Sequence, residues 1–120
     1  MPFSDRGNVW RSLARATRCS LAGLRAALPE RAFRQELVVL VLVAPLALYL
    51  GKNGLERALL IGSWLLVLIV EMINSAIETV LDRVGLEPNE LSGRAKDMAA
   101  AAVFLTIVLA GLVWMLVLAG

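Results

Sequence analysis

A chain of 120 residues of which 59% are apolar is long enough for one domain and too apolar for an ordinary soluble one. It contains no histidine, which excludes His-based triads, His-ligated zinc and His general bases, and its single cysteine, Cys19, excludes an intrachain disulfide. The formal net charge of +2 excludes little, but the distribution of charge along the chain is uneven.

Residues 1–8 are polar and read as loose, with no apolar stretch after the first charges of the kind a cleavable signal peptide carries. Residues 9–28 read as an amphipathic helix. At 100° per residue, Trp10, Leu13, Thr17, Leu21, Leu24 and Leu28 fall within about 80° of one another, and Arg11, Arg15, Arg18 and Arg25 occupy the adjacent arc. A basic flank beside a Trp/Leu face is the pattern of a helix lying in the membrane interface. Attraction to lipid headgroups accounts for it; contact of one or two arginines with a substrate phosphate is the sharper alternative. Pro29 interrupts this helix. The segment Glu30-Arg31-Ala32-Phe33-Arg34-Gln35-Glu36, taken alone, reads as a charged, solvated junction.

Three spans follow. Residues 37–50 form an apolar run broken only by Pro45; counting Ala32 and Phe33 and letting the flanking charges snorkel extends it to a span over about 32–50. Gly51-Lys52-Asn53-Gly54 is a turn. The second span, about 55–83, is followed by Gly85 as a C-terminal cap and Pro88 as a stop. Glu87 to Asp97 is a polar loop with Ser92 as the expected N-cap of the last span, 92–119. Its small-residue rows, Ala95/Ala99 and Ala102/Thr106/Ala110, suit close helix packing in lipid. The whole chain, 1–120, is one integral membrane domain. A core this thin also implies oligomerisation.

The second span carries the chemistry. With Glu71 at zero on a helical wheel, Asn74, Ser75, Glu78 and Asp82 all share its arc of roughly 100°, while Met72, Ile73, Ala76, Ile77, Val80 and Leu81 take the rest. An ionised group at bilayer depth costs about 2.5–3.5 kcal/mol on insertion scales, so such a stripe needs a function. Glu71 lies about 20 Å beyond Ala58, near the far edge of the hydrocarbon. Flanked by apolar residues, it suits a general base; Glu78, nearer water, suits a Mg²⁺ ligand, and Asn74 between them can orient a carboxylate or a hydroxyl. Lys96 and Asp97 open the next helix at the same height. Ten of the twelve Lys and Arg lie in residues 1–36 or 82–97, against Lys52 and Arg57 on the opposite side. The positive-inside rule therefore places the N-terminus and the carboxylates at the cytoplasmic face and the C-terminus outside. Phosphate-binding glycine loops of the usual NTPase and dinucleotide types are absent. From spacing alone the residues define a membrane-surface carboxylate site, with or without a metal; interhelical hydrogen bonding by Glu71 and Asn74 within an oligomer is the structural alternative.

Three blocks then resemble the bacterial diacylglycerol kinase family, small trimeric lipid kinases of the inner membrane: Gly23-Leu24-Arg25-Ala26-Ala27 with Glu30-x-Ala32-Phe33-Arg34-Gln35-Glu36; Val70-Glu71-x-x-Asn74-Ser75-Ala76-Ile77-Glu78 with Asp82-Arg83; and Glu90-Leu91-Ser92-Gly93-Arg94-Ala95-Lys96-Asp97-Met98. They stand in family order over nearly the whole chain. The resemblance implies an all-α homotrimer, each protomer an N-terminal surface helix plus three transmembrane helices, with active sites shared between protomers. It implies Mg²⁺- and ATP-dependent phosphorylation of diacylglycerol to phosphatidic acid, which returns the lipid to phospholipid synthesis. Glu71 would be the catalytic base, supported by Asn74. Glu30 and Glu78 would ligate the metal on ATP, and Lys96, Asp97, Glu87, Pro88 and Asn89 would contact the nucleotide. Arg25, Phe33, Arg34 and Gln35 would line the lipid entry beside Glu71. Nucleic acid has no place in this reading. An undecaprenol kinase using the same machinery is the near alternative. A small proton-coupled transporter is the alternative of a different class; it would call for a mid-bilayer carboxylate and no charged 82–97 loop.

Overall fold

The computed structural model describes residues 8–120, so the expectation of a loose start at 1–8 lies outside the described residues except at Asn8, which is instead the N-cap of α1. Four helices follow one another: α1 (Val9–Ala27), α2 (Arg31–Leu50), α3 (Gly54–Val84) and α4 (Glu90–Ala119). The last three are long and apolar enough to cross a membrane. At 1.5 Å per residue α2 is about 30 Å long, the thickness of a hydrocarbon core, whereas α3 and α4 run to about 45 Å. Their excess length carries the polar residues of α3's second half and α4's first turns. The molecule is a slab of 47 × 45 × 22 Å, thin because three helices lie side by side with α3 shared between the other two.

Local chemistry sets each boundary. Asn8 caps α1, its Oδ1 accepting from the Arg11 amide at 3.2 Å, and Leu28 ends the helix one residue before Pro29. The α2–α3 turn is held by three bonds: the Glu56 amide donates to Asn53 Oδ1 (2.9 Å), the Lys52 amide to Glu56 Oε1 (3.1 Å) and Arg57 Nε to the Gly51 carbonyl (3.2 Å). Gly51 is buried, and a Cβ there would lie 2.9 Å from the Ala47 carbonyl oxygen and against the Arg57 side chain, so this close approach requires glycine. Pro45 sits inside α2 without ending it, a tolerance common in membrane helices.

At the α3–α4 connection the structure departs from expectation. The cap is Asn89, not Ser92: Asn89 Oδ1 accepts from the Leu91 (2.9 Å) and Ser92 (3.2 Å) amides, and α4 begins at Glu90. An Asn in extended backbone three residues earlier satisfies two free amide donors at once, which leaves Ser92 inside the first turn. Lys96 and Asp97 consequently lie in the second turn of α4 instead of at its start.

The solvated-junction reading of 30–36 holds for Glu30, Arg31, Ala32, Arg34 and Gln35, all exposed, and is corrected at Phe33 and Glu36. Glu30 occupies the N-cap position of α2, and the next residues are its first turns. Phe33 is 4% exposed and packs with Ala27 of α1 and Leu68 of α3, with Leu37, Leu40 and Met72 around them. This cluster pins the C-terminal end of α1 to the α2–α3 pair. Higher in the slab, two indoles cross-link the helices: Trp64 Nε1 donates to the Glu36 carbonyl at 2.8 Å and Trp114 Nε1 to the Leu60 carbonyl at 3.0 Å. On α4 the face turned inward is marked by Ala99 and Ala110, both buried; Ala95 and Thr106 are half-buried and Ala102 is exposed, so the expected small-residue rows hold only in part. The remaining faces of α2, α3 and α4 leave large apolar side chains such as Val41, Leu42 and Phe104 about two-thirds exposed, and the Trp10/Leu13/Leu21 stripe of α1 is exposed beside its arginines. Such surfaces suit lipid tails or further protein, not water.

Candidate functional site

The inner stripe of α3 runs through Leu60, Ser63 and Val67, all buried, and continues in register into Glu71, which is 6% exposed. Asn74 follows on the same face, half-buried, with its Oδ1 inaccessible and unpaired. Among the described residues, burial therefore does not stop where the polar residues begin. The same helix face that packs the apolar slab carries a carboxylate and a carboxamide inward. Ser63 satisfies its own hydroxyl by donating to the Leu60 carbonyl at 3.1 Å; Glu71 accepts no hydrogen bond from the described residues.

Three other carboxylates lie in its electrostatic neighbourhood. Glu71 lies within electrostatic reach of Glu78, two turns further along α3, and of Glu30 at the N-cap of α2. Glu36 of α2 in turn lies within reach of Glu71. The Glu30 side chain makes no cap bond and lines an open groove of about 430 Å³ between α1 and α3, with Gly23, Ala26, Met72, Ser75 and Thr79. Glu78 is exposed and accepts one long hydrogen bond, from Asn74 Nδ2 at 3.5 Å. Two loosely held carboxylates thus flank a buried, unpaired one.

A second cluster forms at the α3–α4 turn. Glu87, Pro88, Asn89 and Lys96 line one cavity of about 270 Å³ together with Ser92 and Gly93. Lys96 Nζ pairs with Asp82 Oδ1 at 3.5 Å, the one ion pair among the described residues. Asp97 is exposed and lies outside this lining. Asp82 stands one turn beyond Glu78 on α3 and joins the two clusters along a single helix face.

The expected lipid-entry residues divide. Arg25, in the last turn of α1, and Arg34 and Gln35, at the start of α2, are exposed near the surface end of the slab. Phe33 is buried, packed at the α1–α2 corner against α3.

Two residues of the site were not singled out from the sequence for a role of their own. Glu36 has an inaccessible, unpaired Oε2. Its signal was the helical period: it lies three residues after buried Phe33 and four before half-buried Leu40, on their face. Asp82 was visible on the polar arc, but its partner lies fourteen residues away on another helix, beyond what one helical wheel reveals.

Among the described residues no three acidic or cysteine side chains gather closely enough to hold a metal unaided. Two carboxylates of this kind do fit a magnesium ion that arrives on a nucleotide, which keeps most of its coordination for phosphate and water. A buried carboxylate without a partner, a carboxamide beside it, two flexible carboxylates and a lysine-lined cavity are the parts phosphoryl transfer requires.

Comparison with known proteins points the same way. Residues 18–118 match the family described as prokaryotic diacylglycerol kinase. The chain is 50% identical over 107 residues to the diacylglycerol kinase of Escherichia coli K12, covering 88% of each protein. It is 47% identical over 103 residues to that of Haemophilus influenzae, covering 85% of this chain and 87% of the relative. With the Pseudomonas aeruginosa diacylglycerol kinase the identity is 45% over 120 residues, covering 99% of this chain and 97% of the relative.

Proposed function

The chain belongs to the prokaryotic diacylglycerol kinase family, and on that premise we propose that it transfers the γ-phosphoryl group of ATP to the free hydroxyl of diacylglycerol at the membrane surface. It is a lipid kinase of the membrane; the product is phosphatidic acid, available again for phospholipid synthesis. The observation that carries the residue assignment is Glu71, 6% exposed and unpaired among the described residues, at the point where the apolar stripe of α3 reaches the carboxylates of α2.

In this reading Glu71 takes the proton from the lipid hydroxyl while the oxygen attacks the terminal phosphorus in line, the bond from that phosphorus to the β–γ bridging oxygen breaks, and ADP leaves. Asn74 supports this step with both ends of its amide: an N–H of Nδ2 can donate to the Glu71 carboxylate, and the free Oδ1 can accept from the lipid hydroxyl. Glu30 and Glu78 would hold the Mg²⁺ that accompanies ATP, which supplies charge neutralisation on the phosphates. Lys96 offers an ammonium to the phosphates from α4, with Glu87, Pro88 and Asn89 shaping the adjoining cavity and Asp97 meeting the nucleotide from its exposed position. Arg25, Arg34 and Gln35 guide the lipid glycerol end toward Glu71, over the packing that Phe33 provides. The apolar surface left exposed on all three long helices supports a homotrimer in which neighbouring protomers complete one another's sites. The excess of basic residues in 1–36 and 82–97 supports an inner-membrane topology with site and N-terminus cytoplasmic and C-terminus periplasmic.

The test is a paired assay of the detergent-purified protein with Mg²⁺ and γ-labelled ATP, offering a short-chain diacylglycerol or a polyprenol. Preferential labelling of diacylglycerol is expected. Labelling of the polyprenol would retain the chemistry and replace the substrate; no labelling of either by folded protein would overturn the reading.

A further inference from the structure

Charged side chains are plentiful at the surface end of the slab, yet among the described residues only Lys96 and Asp82 form an ion pair. The two are 48% and 54% exposed, and at 3.5 Å between α4 and α3 such a pair contributes little to stability. Its geometric effect is larger. A lysine ammonium is a point charge on four rotatable methylenes, and Asp82 is what restricts it. The pairing draws Lys96 back across the helix–helix seam toward the face that carries Glu71 and Glu78, with Asp82 itself outside the cavity that Lys96 lines. Of the three N–H donors on Nζ, Asp82 accepts one and leaves two for an anion.

We propose that Asp82 is a positioning residue: it holds Lys96 over the α3–α4 cavity so that the ammonium meets the nucleotide phosphates on the same side as Glu78. The inference rests on the assignment of Lys96 to the nucleotide. It makes Asp82 a determinant of ATP affinity that touches neither substrate. The alternative sign, Asp82 as a competitor that must release Lys96 before phosphate binds, predicts the opposite change and is distinguished by the same measurement.

The experiment measures kcat and the KM for ATP in full-length wild type, Asp82→Asn, Asp82→Glu, Lys96→Gln and the double variant Asp82→Asn/Lys96→Gln. Asp82→Asn is expected to raise the KM for ATP about two- to fivefold, the size an exposed ion pair supports, with kcat nearly unchanged. Asp82→Glu is expected to restore part of the loss. In the Lys96→Gln background Asp82→Asn is expected to add nothing, because the residue it positions is gone. An unchanged or lowered KM in Asp82→Asn, or the same factor with and without Lys96, would overturn the proposal while leaving Lys96 in place. Should Lys96→Gln itself leave the KM for ATP unchanged, the nucleotide assignment fails and the role of Asp82 falls with it. If Asp82→Asn does not fold, Asp82→Ser is read by the same criteria.

Discussion

Glu71→Gln should make this protein more stable and almost inactive, and the two effects come from one structural fact. Glu71 is 6% exposed, accepts no hydrogen bond from the described residues and lies within reach of the carboxylates of Glu78 and Glu30. Gln has nearly the same shape and keeps a polar end, so the packing of the inner face of α3 is retained. What disappears is a charge that solvent barely reaches and that its neighbours repel. A charged residue at mid-bilayer costs about 2.5–3.5 kcal/mol and less toward the interface, so relief of about 1 kcal/mol is expected for a group near the membrane edge. The loss on the chemical side is larger. A positioned base contributes about 10²–10⁴ in rate, equivalent to about 2.7–5.5 kcal/mol of barrier. Gln cannot take a proton, so kcat should fall by that factor while ATP still binds.

The assay is label transfer from γ-labelled ATP to diacylglycerol, run beside a denaturation series that follows helicity in mixed micelles. A folded Glu71→Gln protein that retained more than a tenth of wild-type kcat would refute the base assignment. A variant that lost activity by unfolding at lower denaturant would refute the claim that the wild-type carboxylate is a liability to the fold. Gain of stability with loss of rate is the signature of a residue kept for chemistry.

Three further outcomes are expected. Glu78→Gln should raise the Mg²⁺ concentration giving half-maximal rate several-fold, since it leaves Glu30 as the remaining flexible carboxylate; an unchanged Mg²⁺ titration would remove Glu78 from the metal. Phe33→Ala should destabilise by about 3 kcal/mol, the low end for a core Phe, with Phe33→Leu recovering most of it; a stability loss below about 1 kcal/mol in the denaturation series would show that the Ala27/Phe33/Leu68 cluster does not hold the α1–α2 corner. Asn89→Ala should cost about 1 kcal/mol through loss of the cap on the Leu91 and Ser92 amides, and Asn89→Asp should not; equal stability of the two variants would contradict the cap.

The helices were legible in the sequence because their signals are local. Runs of apolar residues of about 20, a Gly-Lys-Asn-Gly turn and Pro29 leave few alternatives, and the observed boundaries fall within one residue of expectation except at the start of α4. There the error was a choice between two good capping residues. Asn and Ser side chains can both accept from free amides, but Asn89 stands in extended backbone with its Oδ1 facing the amides two and three residues on. The carboxylate stripe of α3 was equally legible, since one wheel contains Glu71, Asn74, Glu78 and Asp82. That arc establishes which residues share a face and is silent about what the face meets.

That difference explains the rest. Helix α4 is apolar on nearly every side, so hydrophobic periodicity cannot choose its inner face; Ala99 and Ala110 do, because only small side chains let its backbone approach α3. In a membrane the lipid-facing and protein-facing sides are equally apolar, and residue size takes over the role that polarity plays in water. The same ambiguity hid Phe33 and Glu36. Phe33, counted into the first span and toward the lipid, is packed at 4% exposure, and Glu36, read as part of the charged junction, has an inaccessible oxygen. A helix that starts at Arg31 puts positions 33, 36, 37 and 40 on one face, and that face meets α3 only because Trp64 and the core cluster set the register between the two helices. The buried carboxylate of Glu71 therefore owes its surroundings to contacts made 28 and more residues away in sequence, which is why its place on the polar arc is readable from one helix and its environment is not.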